Sequence, residues 1–282
     1  MKWRVGRQST NVEDRRGQGM GAMGMGGMGI GGLVLVLVVS MLFGKNPLEL
    51  LGAVQAPDAT TQTGEPPPPT EETQLVGAVL GSTEDVWGAI FRQSGSQYPA
   101  PTLVLFSNAV ASACGRASSA VGPFYCPGDR QVYIDTAFFN EMARMGGGGD
   151  FAQAYVVAHE VGHHVQTVTG TAEKVDTLRR QGAPYEGDNG LAVRMELQAD
   201  CYAGVWANLA QQQYQWLEAG DVEEALATAA AIGDDRLQKQ QTGQVMPDSF
   251  THGTSAQRVR WFRTGFESGD AGRCDTFRAR SV

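Results

Sequence analysis

The strongest pattern of hydrophobic and polar positions lies near the amino terminus. Residues 17–44 contain no charged side chain, and the second half of this stretch, IGGLVLVLVVSMLFG, is almost entirely apolar. Together with the glycines and methionines before it, this half supplies the roughly 20 apolar residues that a helix needs to cross a bilayer. The pattern predicts a Gly/Met-rich stretch and a single transmembrane helix over residues 22–44.

The charges on either side of the apolar stretch predict its orientation. The basic residues before it are Lys2, Arg4, Arg7, Arg15 and Arg16, and few follow it. This asymmetry predicts a cytoplasmic amino-terminal segment over residues 1–21 and an extracytoplasmic body. A cleaved signal peptide is the alternative, because AVQA at residues 53–56 resembles a small-residue cleavage site. Both interpretations place the body of the chain outside the cytoplasm.

Beyond the apolar stretch the chain first becomes proline-rich and then alternates between helical and strand patterns. The run PPPP at 66–69 disfavours a helix and predicts a stiff linker over residues 45–74, followed by one folded domain over residues 75–282. Strands are predicted at PTLVLFSN and RQVYID. Helices are predicted at EDVWGAIFRQSG, from Thr136 to Met145, from Asp150 to Gly170, from Asn189 onward, from Asp221 onward and at SAQRVRWFRTGFESG. The predicted fold class is α+β, mostly helical, with a small sheet.

Net charge and cysteine usage restrict the possible partners and the cellular compartment of the chain. The net charge of −8 argues against a nucleic-acid partner, which would favour a basic face. All four cysteines follow the apolar stretch and none is in a CxxC arrangement, so two disulfides in an oxidising compartment are expected. Four cysteines allow three pairings. Cys114 and Cys126 flank a short loop and form the natural local pair, which leaves Cys201 with Cys274 by elimination.

The stretch AYVVAHEVGHHVQ carries the clearest candidate chemistry. His159 and His163 are four residues apart and share one face of a helix, so both imidazoles can bind one metal ion. Glu160 lies about 100° around the helix and can reach a water molecule on the metal without being a ligand. The alternative is a core helix whose histidines are satisfied by hydrogen bonds. Burying these groups without partners costs several kcal/mol, which favours a metal.

A catalytic zinc ion needs a third protein ligand and an open position for water. Glu196, in RMELQADC on the next long helix, is the better candidate, and His252 is the other. Asp200 follows Glu196 by four residues and shares its face. It can therefore accept the N–H of a ligating histidine and orient that ring. Apolar neighbours argue against a solvated face for this pair of carboxylates.

An HExxH motif followed by ExxxD on a later helix resembles the gluzincin branch of the zincin metallopeptidases. The chain also resembles the putative neutral zinc metallopeptidase family, through MKWRVGRQSTNVEDRRG, FYCPGDRQVYID, AYVVAHEVGHHVQ, RMELQADCYAGVWA, AIGDDRLQ and DSFTHGTSAQRVRWF. The resemblance implies a zincin-like fold and a Zn²⁺ cofactor. It also implies that His252 donates to the oxyanion and that VYID is the edge strand that holds an extended peptide. A helix-capping role is the alternative for His252.

These patterns predict a membrane-anchored zinc metallopeptidase, with peptides or proteins as substrates and the membrane contacted through one amino-terminal helix. The predicted metal ligands are His159, His163 and Glu196, with Glu160 as the general base. Two other classes stay open: a non-catalytic, zinc-stabilised binding module in the cell envelope, and a scaffold without metal. A closed structural site would need four protein ligands and would not need Glu160.

Overall fold

The computed structural model describes residues 1–18, 66–118 and 121–282. The predicted Gly/Met-rich stretch and transmembrane helix at 22–44 lie outside the described residues. Within the described residues, we find no helix that is both long and apolar enough to cross a bilayer. One compact unit comprises Met1–Asp14 together with Pro68–Val282. A second unit is Arg15–Pro67, of which only both ends are described.

Helices make up most of the first unit. In chain order they are α1 Glu71–Gln93, α2 Ala137–Arg144, α3 Asp150–Val168, α4 Thr171–Arg180, α5 Leu191–Tyr214, α6 Asp221–Ala231, α7 Asp234–Thr242 and α8 Ser255–Ser268. Short 3₁₀ turns occur at Trp3–Val5, Pro247–Ser249 and Ala271–Cys274. The sequence patterns missed α4 and α7, whose exposed faces are polar.

Three predicted helix starts are correct to within two residues. Asp150 and Asp221 are the first helical residues rather than the caps, and Asn189 precedes the cap Gly190. A carboxylate in the first turn of a helix is stabilised by the helix dipole. An aspartate therefore indicates a helix start both as the cap and as the first helical residue.

The strands form one mixed sheet and one separate hairpin. They are β1 Val12–Asp14, β2 Thr102–Phe106, β3 Ala109–Ser112, β4 Gly115–Ser118, β5 Phe124–Cys126 and β6 Gln131–Asp135. The sheet order is β1-β2-β6-β5, with the first three parallel and β5 antiparallel to β6, while β3 and β4 form the hairpin. The VYID segment was predicted to be the edge strand, and that prediction is wrong: β6 lies inside the sheet and β5 occupies the edge.

Helix α3 is at the centre of the unit. It packs against helices α1, α5 and α6 and against strands β5 and β6. Most of its side chains are buried, which explains its nearly continuous apolar sequence. Most polar groups on its buried face therefore need a partner inside the protein.

Both predicted disulfide pairings are confirmed. Cys114, between β3 and β4, is bonded to Cys126 at the end of β5, so the hairpin is tied to the sheet edge. Cys201 on α5 is bonded to Cys274 in the final 3₁₀ turn. These bonds fasten two short, irregular segments to the core.

The domain begins earlier than residue 75. Helix α1 starts at Glu71, inside the predicted linker, because Thr70 and Thr73 form a reciprocal capping box at its amino end. Residues 1–14 of the segment 1–21, which was predicted to be separate, belong to the same unit as the domain, since β1 pairs in parallel with β2 and Trp3 is buried. The local sequence gave no indication of this pairing, because β2 lies far away along the chain.

Two glycines in α1 allow the amino-terminal segment to lie against the helix. A Cβ atom at Gly81 would lie 2.5 Å from the carbonyl oxygen of Arg7, and one at Gly77 would collide with the side chain of Gln8. Glycine inside a helix costs about 0.5–1 kcal/mol relative to alanine, so its presence here needs a reason. At Gly81 the close approach of the backbone of Arg7 provides that reason.

Substitution of these glycines tests the packing. Gly81→Ala is expected to lower the free energy of unfolding by about 1–3 kcal/mol, because the new methyl group has no space. Gly88→Ala is the matched control on the same helix, since its Cβ would meet only the flexible end of Arg92. The control is expected to raise stability by up to about 1 kcal/mol. Urea denaturation of the full chain measures both, and equal effects would contradict the packing.

Candidate metal centre

Helices α3 and α5 approach each other closely at a pair of small residues. A Cβ atom at Gly162 would lie 3.0 Å from the Cα atom of Ala199. Such a close approach is open only to small side chains, and it brings the two helices near enough for their polar side chains to meet. Gly162 lies between the two histidines of the HExxH motif, so the close contact is centred on the motif itself.

The three predicted metal ligands converge across this contact. One potential ligand atom from each of His159, His163 and Glu196 lies within 4.8 Å of the others. Nε2 of His159 is 3.2 Å from one carboxylate oxygen of Glu196, and Nε2 of His163 is 3.4 Å from the other. Two imidazole nitrogens and a carboxylate oxygen are a donor set that suits Zn²⁺.

Hydrogen bonds at Nδ1 fix both imidazole rings. Nδ1 of His159 lies 2.9 Å from Asp200, and Nδ1 of His163 lies 2.9 Å from the side-chain oxygen of Gln166. Gln166 is held in turn by its amide group, which donates to the carbonyl oxygen of Met195 at 2.7 Å. With Nδ1–H donating to these oxygens, each Nε2 lone pair is free for a metal. Asp200 therefore lies where the sequence predicted it, and Gln166 was not predicted.

Asp200 is fully buried and is held by a second residue that the sequence analysis missed. Arg258 on α8 donates Nε–H and Nη2–H to the two carboxylate oxygens of Asp200, at 2.8 and 2.9 Å. Tyr155 adds a third donor through its hydroxyl, at 2.5 Å. Arg258 is itself only 2% exposed. A lone arginine on the helical face that carries Trp261 and Phe262 was the signal that could have revealed it.

The charges of the cluster favour a cation between the ligands. Burial lowers the pKa of His159, but hydrogen bonds and charge from Asp200 and Glu196 outweigh this and raise it to about 10. Burial raises the pKa of Asp200, yet Arg258 and His159 bring it down to about 2. The carboxylates are thus ionised and hold protons on the imidazoles. Ligating histidines must be neutral, so a bound metal would displace those protons.

Glu160 has a different environment from Glu196, although both carboxylates lie near the histidines. Glu160 is 7% exposed and lines the same cavity as the three candidate ligands. Burial raises its pKa, and the nearby His163 and His159 offset this only in part. The pKa of Glu196 is instead held well below its usual range, because the two histidines outweigh its burial. A carboxylate of raised pKa is suited to proton transfer.

The cluster opens into a cavity of about 560 Å³. Its apolar and aromatic wall includes Phe124, Tyr125, Phe138, Val156, Ile232 and Leu237. Two of these residues belong to β5, so the sheet edge forms one side of the cavity. An exposed edge offers unpaired backbone groups to an extended chain.

His164 joins β5 to the helix that carries the histidines. Nε2 of His164 donates to the carbonyl oxygen of Pro99 at 2.5 Å, so its Nδ1 accepts from the hydroxyl of Tyr125 at 3.1 Å. Burial lowers the pKa of His164 to about 4, which keeps the ring neutral. His164 lies outside the three-residue cluster of candidate ligands.

His252 lines the same cavity but is not part of the metal cluster. Its Nδ1 lies 3.1 Å from Asp234, whose other carboxylate oxygen accepts backbone N–H groups of Thr251, His252 and Gly253. The hydrogen bond from His252 to Asp234 raises the pKa of the imidazole. Asp234 was not predicted, although it lies in the AIGDDRLQ stretch. The side chain of His252 is half-exposed.

Comparison with protein families gives one match, which covers residues 1–277 and is described as "Putative neutral zinc metallopeptidase". The chain belongs to this family. The match includes the amino-terminal segment as well as the helices that carry the histidines, so the predicted resemblance is confirmed over nearly the whole chain.

Relatives of this family member include YpfJ, an uncharacterized protein of Escherichia coli K12. It is 48% identical over 285 residues, which cover 98% of this chain and 99% of the relative. Rv2575, an uncharacterized protein of Mycobacterium tuberculosis H37Rv, is 46% identical over 218 residues, which cover 73% of this chain and 71% of the relative. No solved structure matches the chain.

The role of Asp200 in orienting His159 is testable by removing its charge. Asp200→Asn is expected to weaken zinc binding by about 10–100-fold, because Nδ1–H of His159 and Arg258 lose their ionised acceptor. Asp221→Asn is the matched control: Asp221 is also a buried carboxylate, but it belongs to neither the cluster nor the cavity. Competition with a chelating dye measures the affinity. Equal zinc affinity in both variants would refute this role of Asp200.

Proposed function

We propose that this chain is a zinc-dependent peptidase that hydrolyses peptide bonds outside the cytoplasm. The observation that carries the proposal is the convergence of His159, His163 and Glu196 with the buried carboxylate of Glu160 in one cavity beside a sheet edge. Membership of the family supports the choice of zinc. The fit of two imidazole nitrogens and a carboxylate oxygen supports it independently.

When bound, Zn²⁺ would lower the pKa of a water molecule to about 7 and polarise the scissile carbonyl group. His159, His163 and Glu196 are the residues that would hold the ion. Asp200 and Gln166 keep the two imidazole rings turned toward it through Nδ1. Within the described part of the chain the cluster has three members, which leaves one of the four usual zinc positions for water and substrate.

Glu160 is the residue that would move the proton. Its buried carboxylate accepts a proton from the attacking water and then delivers it to the nitrogen of the leaving amine. Burial raises the pKa of Glu160, and a raised pKa favours acceptance of the proton by this carboxylate. Glu196 is unsuited to the role, since the two histidines keep its pKa low.

The walls of the cavity would hold the substrate. An extended peptide can pair with the free edge of β5 through backbone hydrogen bonds, with apolar side chains directed toward Phe124 and Tyr125. His252 is oriented by Asp234 and lines the same cavity, so we assign it the donation of a hydrogen bond to the oxyanion. The raised pKa of its imidazole favours the protonated, donating form.

Two disulfides support the proposed location outside the cytoplasm, because reducing conditions in the cytoplasm oppose such bonds. Attachment to a membrane rests on the apolar sequence of residues 22–44. It stays a prediction from the sequence.

The proposal competes with a non-catalytic module that uses zinc only for stability. Such a site is normally closed by four protein ligands. The described residues supply three, and the cavity beside them is large enough for a side chain of a substrate. A buried glutamate that is not a ligand also has no evident purpose in a structural zinc site.

The Glu160→Gln variant distinguishes a peptidase from a non-catalytic binding module. The amide keeps the size of the side chain but cannot accept a proton, so cleavage of a peptide library is expected to fall by about 10²–10⁴-fold. Zinc content should stay near that of the unmodified chain, because Glu160 is not a ligand. Glu196→Gln is the contrasting variant: it weakens a ligand, so zinc content and cleavage should fall together.

Unchanged peptidase activity in Glu160→Gln would reject the mechanism. Loss of zinc in Glu160→Gln would also contradict it, since that result would make Glu160 a ligand. Zinc content is measured on the same samples that are assayed for cleavage.

A further inference from the structure

We propose that residues 1–14 lie on the same side of the membrane as the metallopeptidase domain, because they are a structural part of it. This inference goes beyond the proposed peptidase activity and does not depend on it. It replaces the single-pass arrangement predicted from charge, in which the amino terminus is cytoplasmic and the domain extracytoplasmic. Three independent sets of contacts carry it.

The first set is the pairing of β1 with β2. Val12, Glu13 and Asp14 pair in parallel register with Leu103, Val104 and Leu105. The amide of Leu103 also donates to the carbonyl oxygen of Asn11 at 2.8 Å. The side chains of β2 are largely buried, so its backbone groups need partners that water cannot supply. Strand β1 provides these partners along one side of β2.

The second set joins the segment to α1. The amide of Ser9 donates to the carbonyl oxygen of Gly77 at 3.0 Å, and the side chain of Arg7 donates to the carbonyl oxygen of Gly81 at 2.9 Å. Arg7 also contacts Glu84 and Asp85 at 2.8 and 2.9 Å. The two glycines lie one turn apart and leave a groove that the backbone of the segment occupies. The groove and the segment are therefore complementary in both shape and charge.

The third set reaches the helix of the metal centre. Trp3 is 1% exposed, and its indole N–H donates to Asp150 at 3.0 Å. Asp150 is the first residue of α3, which carries His159 and His163. At Gly6 a Cβ atom would collide with the ring of Trp216, so the segment is also tightly packed against the chain beyond α5.

These contacts restrict how the chain can be arranged about a membrane. A chain that crossed a bilayer once between residues 18 and 66 would place residues 1–14 and the domain on opposite sides. β1, Trp3 and the ion pairs of Arg7 would then be separated from their partners. Cleavage near residues 53–56 would likewise cut the covalent link between residues 1–14 and the domain. The same-side arrangement keeps all three sets of contacts.

Cysteine labelling in spheroplasts tests the arrangement. All four native cysteines are in disulfides, so an introduced cysteine is the only free thiol. Val5→Cys reports on the amino-terminal segment and Met246→Cys on the domain, since these side chains are 78% and 55% exposed. The probe is a membrane-impermeant maleimide, applied to spheroplasts that express the full chain, and then to the same cells after lysis.

The proposal expects the two positions to behave alike: both react in intact spheroplasts, or both react only after lysis. Reaction at one position and protection of the other in intact spheroplasts would overturn it. Protection of Val5→Cys after lysis, with reaction only on denaturation, would also overturn it, because the segment would not be placed as described. Loss of peptidase activity bears on the proposed function and leaves these outcomes unaffected.

Discussion

The buried carboxylate of Asp200 is the group around which the site is organised. It is completely inaccessible to solvent and accepts hydrogen bonds from Tyr155, His159 and Arg258. A buried charge without such partners would be strongly destabilising, so the helices that carry the donors are constrained relative to one another. The donors lie on α3 and α8 and Asp200 lies on α5, and the arrangement of these three helices determines where both imidazole rings of the candidate metal centre lie. The proposed metal binding and the stability of the helical core therefore depend on the same interactions.

The residues of the metal centre could be predicted largely because their geometry is local. His159 and His163, like Glu196 and Asp200, are four residues apart on one helix, and the spacing alone places each pair on one face. Arg258 and Asp234 were missed because their roles depend on elements that meet only in the folded chain. The close contact between α3 and α5 was not predicted for the same reason, although Gly162 within the motif indicated close packing.

The difference between local and long-range contacts also explains which strands and helices could be predicted. Strands β2 and β6 were predicted from alternating or continuous apolar residues, whereas β1 and β5 are three residues long and have no pattern of their own. Basic residues at the amino terminus were interpreted as a membrane-orientation signal. In the folded domain one of them, Arg7, instead pairs with carboxylates of α1. Glycines at 77 and 81 inside an otherwise helical pattern were the overlooked sign that another part of the chain packs there.

In the proposed metal centre, two histidines and one glutamate of this chain hold a single zinc ion, with a position left for water. X-ray absorption at the zinc edge, recorded on the full chain as purified, tests it most directly. We expect about one zinc ion per chain, with two imidazole ligands and only oxygen donors besides them. A shell of sulfur donors, a third imidazole, or a chain that binds no zinc when the metal is supplied would contradict it.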